Sequence, residues 1–99
     1  MIKVVKKENI IEIIGHSGYD IVGKDIVCSA VSSIVTTTIN GIISIDKEAI
    51  SYKYKNDTMT ISILKKDKIT IKLIDNMFEL LTSLAKDYPK NIIVKEREF

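Results

Sequence analysis

One histidine and one cysteine, His16 and Cys28, stand twelve positions apart in the stretch GHSGYDIVGKDIVCSA, residues 15–30. A thiol and an imidazole suffice for nucleophilic acyl transfer. The imidazole takes the thiol proton, and the thiolate attacks a carbonyl carbon. Three of the four glycines, Gly15, Gly18 and Gly23, surround the pair. The same residues also have a plainer reading. Cys28 lies in IVCSAV, the context of a small buried hydrophobe, and a histidine beside a glycine is an ordinary loop residue. Metal chemistry is not indicated: one His and one Cys are two ligands, short of the three or four that zinc needs. The glycines lack the Lys-Ser/Thr of a phosphate-binding loop. No cofactor is expected.

The elements that must position the pair follow from the residue pattern. Ile2 to Ile14 is dominated by Ile and Val, with Glu8-Asn9 as a turn, and reads as a hairpin. His16 then lies just beyond a strand end, after a glycine that opens backbone conformations closed to other residues. SYKYK-ND-TMTISIL reads as a second hairpin about Asn56-Asp57. A two-residue turn there pairs Tyr54 with Met59, Tyr52 with Ile61, Lys53 with Thr60 and Lys55 with Thr58. It gathers Tyr, Tyr, Met and Ile on one face and Lys and Thr on the other. The tyrosine face is expected to pack in a core or a dimer contact. Lys6-Lys7 and Lys65-Lys66 read as solvated hairpin ends.

Between the hairpins, Val27, Val31, Ile34/Val35 and Ile42 recur at helical spacing, so a helix is expected from Asp25 to about Ile45. Its run Val35-Thr36-Thr37-Thr38-Ile39 has poor helix propensity, which burial must override. A second helix carries Leu73, Met77, Leu80/Leu81, Leu84 and Tyr88 on one stripe and ends at Pro89. Asn91 to Glu98 reads as a last strand. The order is ββαββαβ, class α+β, with two helices packed on a sheet of antiparallel hairpins.

With Asp25 as N-cap, Cys28 takes the third helical position. The open amides of that turn and the positive end of the helix dipole favour a thiolate and offer donors to an oxyanion. Asp25 has three readings. It caps the helix, it opposes ionisation of a nearby thiol, or it orients His16 as the third group of a triad does. Ser32, one turn after Cys28, has a hydroxyl that either reaches the site or bonds its own helix backbone.

Ninety-nine residues with 45% hydrophobic side chains and a net charge of +2 describe one small globular domain, residues 1–99. Fifteen basic residues against 13 acidic, with Arg97 the only arginine, do not call for a nucleic-acid partner. A single cysteine makes no internal disulfide, and a reducing cytoplasm is the default. The start lacks the apolar core of a signal peptide, and no run is read as a membrane span. The Ile-rich composition leaves apolar surface for a homodimer.

Gly15-His16 followed by Asp25-Ile26-Val27-Cys28-Ser29-Ala30 with Ser32 resembles the ribosomal-processing cysteine protease family, Prp. The spacing from His to Cys, the chain length and the element order resemble that family as well. The resemblance implies an endopeptidase that removes a short N-terminal extension from a large-subunit ribosomal protein. Bulky apolar or aromatic residues would precede the cut. It implies Cys28 as nucleophile and His16 as general base, then acid, with Gly15, Asp25 and Ser32 as supporting positions. Gly18 and Gly23 serve either as hinges of a closing loop or as plain turn residues. Ser17 and Ser29 stand where the family often has alanine. The competing reading is a ribosome- or RNA-binding module without catalysis, carried by Tyr52-Lys53-Tyr54-Lys55. A second rival is an assembly protein with an inert thiol.

Overall fold

The computed structural model describes residues 1–16, 18–21 and 25–97, the last of them by its backbone alone. Its elements are β1 (Ile2–Lys7), β2 (Ile10–Ile14), α1 (Ile26–Ile45), β3 (Ile50–Lys55), β4 (Thr58–Ile63), α2 (Lys68–Asp87) and β5 (Ile92–Arg97). This is the expected ββαββαβ order.

Both hairpins form where the sequence places them. Lys7 stands opposite Ile10 across Glu8-Asn9. Asn56 and Asp57 close the second hairpin with φ of +51° and +60°. Two left-handed central residues make a type I′ turn, which Asn and Asp tolerate better than most side chains. The β3–β4 register pairs Tyr52 with Ile61 and Tyr54 with Met59, as expected.

The strand order is β3-β4-β2-β1-β5. The two hairpins join through antiparallel β2 and β4, and β5 adds to β1 in parallel. Residues directly opposite one another share a face. One face therefore carries Ile2, Val4, Ile11, Ile13, Met59, Ile61, Ile92 and Val94, and it packs with both helices in a single core. Lys3, Glu12, Lys53, Thr58 and Thr60 lie on the other face.

Helix α1 forms despite its β-branched run, and magnitudes say why. Each β-branched residue costs roughly 0.5 kcal/mol of helix propensity relative to alanine. Five of its side chains, Val27, Val31, Val35, Ile39 and Ile42, are buried along one stripe. Each such burial contributes about 1.5–3 kcal/mol. Packing wins. By length and composition α1 could also cross a membrane. Ser29, Ser32, Thr36, Thr37 and Asn40 are exposed on it, so its apolar residues serve a stripe rather than its whole circumference.

Helix α2 is capped by Asp67, whose carboxylate accepts from the Thr70 N–H at 2.9 Å and from the Thr70 hydroxyl at 3.0 Å. The Thr70 N–H is the main reason the Asp67 carboxyl lies below its usual range. The buried stripe is Thr70, Ile74, Met77 and Leu81. Leu80, expected on that stripe, is instead 47% exposed. Helical spacing from Ile74 through Met77 selects Leu81 and turns Leu80 outward. The helix ends at Tyr88, which leaves the helical region immediately before Pro89.

Of the two places expected for the β3 tyrosines, a core or a dimer contact, the core of this chain does not take them. They are on the helix-facing side of the sheet, yet Tyr52 and Tyr54 are 53% and 65% exposed. β3 is an edge strand, and only its start, at Ile50, is buried.

Candidate active site

Three chain segments meet beyond the end of β2. The first is Gly15-His16. Gly15 has φ +88°, and a Cβ there would stand 2.9 Å from the Met1 carbonyl oxygen. Only glycine fits that conformation and that approach. The second is the first turn of α1. Asp25 is its N-cap, and Cys28 is the third helical residue, as expected. The third is the β3–β4 turn: the Gly15 N–H donates to the Asp57 carbonyl at 3.1 Å.

His16 and Cys28 come together. Both line a cleft of about 260 Å³ with Gly18, Asp20, Asp25, Ser29 and Ser32. Both also line an apolar cleft of about 260 Å³, whose walls include Ile13, Val31, Val35, Tyr54 and Met59. Ser32 belongs to both clefts and is exposed. His16, Cys28 and Ser32 therefore stand where two depressions meet. Cys28 is half-buried, whereas His16 is open to solvent.

Asp25 is 94% buried, at 6% exposure, and its carboxylate is taken up by backbone amides. One oxygen accepts from the Val27 and Cys28 N–H groups at 3.0 and 2.9 Å. The other accepts from the Asp20 N–H at 3.4 Å. The Ser29 N–H donates to the Asp25 carbonyl at 3.1 Å. The Val27, Cys28 and Ser29 amides are thus engaged, so in this state they are not open donors for an oxyanion. This departs from the expectation drawn from helix position alone. Asp25 instead joins the loop to the helix that carries the thiol.

The loop is held at a second point. Tyr19 meets Tyr88 edge to face, with ring centroids 5.5 Å apart. Gly18 has φ +70°, the conformation of a turn. Gly23, Ser17 and Lys24 lie outside the described residues.

Asp57 and Tyr54 join the site without any local motif to mark them. His16 Nε2 lies 3.4 Å from an Asp57 carboxylate oxygen. Tyr54 lines the apolar cleft beside Cys28. The missing signal was the β2–β4 pairing. Ile14 opposite Thr58 brings the Asn56-Asp57 turn against Gly15, and Ile13 opposite Met59 aligns Tyr54 with the same end of the sheet. Among the described residues, no group of three or more His, Cys, Asp or Glu side chains is placed to hold a metal ion.

A model of the cysteine protease Prp family matches residues 1–93. The essential ribosomal processing protease Prp from S. aureus, solved with a covalently linked product peptide, superimposes with a TM-score of 0.87 at 18% identity and covers 97% of each chain. The same protease with a substrate peptide gives 0.80 at 17% identity, again over 97% of each chain. The protein SMU.848 from Streptococcus mutans gives 0.76 at 22% identity, over 96% of this chain and 90% of the other. At these identities the structures show a common fold. Among curated proteins none matches the sequence.

Proposed function

Because this chain belongs to the family of Prp cysteine proteases, we propose that it removes an N-terminal extension from a large-subunit ribosomal protein, with Cys28 as nucleophile and His16 as general base and then acid. One observation carries this reading. A thiol on a helix and an imidazole beyond a strand end line the same two clefts. His16 takes the thiol proton as Sγ attacks the scissile carbonyl carbon. The tetrahedral adduct collapses, the C–N bond breaks, and His16 returns the proton to the leaving amine. Water then hydrolyses the thioester, its proton passing through His16 back to Sγ.

The apolar cleft takes a bulky side chain of the peptide, with Tyr54 and Met59 as its outer wall. Removing a large aromatic contact from a substrate cleft weakens binding more than chemistry when the contact is made equally in both states. Tyr54→Ala is therefore expected to raise KM about tenfold with kcat within about twofold. Steady-state kinetics on a peptide carrying an aromatic residue before the cut measure it. A fall in kcat at constant KM would place Tyr54 elsewhere in the mechanism.

We place the activity in the cytoplasm, before the substrate joins the ribosome, and assign the enzyme a homodimeric state. Exposed Ile45, Leu64 and Ile69, away from the clefts, supply apolar surface for a second copy. The RNA-binding alternative gains exposed tyrosines but still lacks a shared surface, because Lys53 and Lys55 lie on the opposite face of β3 from Tyr52 and Tyr54. Neither it nor an inert-thiol assembly protein explains two clefts converging on Cys28. Incubation with the N-terminal peptide of the same organism's large-subunit ribosomal protein, read by mass spectrometry, tests the proposal. A single internal cut that requires Cys28 is expected; an intact peptide would reject it.

A further inference from the structure

Resting on the protease reading, we propose that Asp57 is a positioning residue for His16: its carboxylate fixes the imidazole so that Nδ1 is the nitrogen that exchanges the proton with Cys28. Asp57 holds the end of β2 at two points. Its carbonyl accepts the Gly15 N–H at 3.1 Å, and its carboxylate lies 3.4 Å from Nε2 of the next residue. The turn, with Asp57 at φ +60°, presents the two groups to consecutive residues, Gly15 and His16.

The chemistry of the pair assigns the nitrogens. An ionised carboxylate only accepts hydrogen bonds, so the nitrogen facing it carries the N–H. A neutral imidazole has one proton. With that proton on Nε2, the Nδ1 lone pair is the base. Apo contacts of this kind are often long and tighten in the substrate complex. Once His16 has taken the thiol proton, the Asp57 carboxylate faces an imidazolium, a charge-assisted pair that strengthens as charge develops. Asp25 does not fill this role through its described bonds, which go to the Asp20, Val27 and Cys28 amides.

The turn offers an unusually clean test. Asp57→Gly removes the carboxylate but keeps a residue suited to positive φ, and Asn-Gly is a preferred type I′ pair. The hairpin should be at least as stable as in wild type. The expected result is a fall in kcat of about tenfold with KM unchanged. Asp57→Asn, which retains an acceptor oxygen without charge, should recover part of that loss. The second readout needs no turnover. His16 is the sole imidazole, so long-range proton–nitrogen correlation reports its tautomer directly. Wild type should hold the Nε2–H form, and Asp57→Gly should shift towards a mixture. An unchanged kcat in Asp57→Gly, or a rise in KM alone, would overturn the proposal, as would a tautomer indifferent to Asp57. If wild type cleaves no peptide but its tautomer depends on Asp57, the protease reading fails while the pairing stands.

Discussion

Cys28→Ser is expected to slow peptide cleavage by about 10⁴-fold or more while leaving the fold intact. The substitution exchanges sulfur for oxygen at a half-buried position in the first turn of α1. Its packing cost is small, and serine is well tolerated near a helix start. The chemical cost is large. A thiol near neutral pH supplies a useful fraction of thiolate and is intrinsically nucleophilic, whereas a serine hydroxyl needs a base tuned to it. Removing the nucleophile of a catalytic set that works as a unit loses nearly the whole rate enhancement. Single-turnover rates on the N-terminal peptide, beside thermal melts of both proteins, would measure the two effects separately. Cleavage within about tenfold of wild type, with an unchanged melt, would remove Cys28 from the covalent step. Rapid alkylation of Cys28 by iodoacetamide in the native wild type is the matching chemical result, since a buried core thiol reacts only on unfolding.

The parts of this molecule that were legible in the sequence are those governed by local rules. The turn at Asn56-Asp57 fixes the register of its hairpin, and every expected pair from Tyr52 to Ile61 is present. The N-cap at Asp25 sets the start of α1 and hence the position of Cys28. What local rules do not carry is the order of strands. Pairing between β2 and β4 brings residues more than forty positions apart into register, and only that pairing sets Asp57 beside His16. The same gap explains the tyrosines. Alternation correctly put Tyr52 and Tyr54 on the helix-facing side, but the extent of helix cover at an edge strand is a property of the assembled sheet. The oxyanion donors illustrate a third case. Helix position supplies amides, yet the cap that creates the helix start also consumes them.

Asp25 is where stability and catalysis meet, and two substitutions separate its roles. Asp25→Ala removes acceptors from the Val27, Cys28 and Asp20 amides at a buried position. Loss of an N-cap alone costs about 0.5–2 kcal/mol. In a domain of this size, 1–2 kcal/mol lowers Tm by roughly 5–15 °C. Cleavage should fall at least tenfold, because the turn that holds Sγ and the loop opposite it lose their common anchor, and small misplacements near reacting atoms cost rates of about that order or more. Asp25→Asn keeps an acceptor oxygen, and Asn caps helices about as well as Asp. If Asp25 acts by holding backbone, this variant should melt within about 3 °C of wild type and retain most of its kcat. If its charge acts in the chemistry, the variant should fold normally and fail to cleave. The bonds to three amides favour the first outcome. A folded, inactive Asp25→Asn would instead give Asp25 the role of orienting His16 that we propose for Asp57.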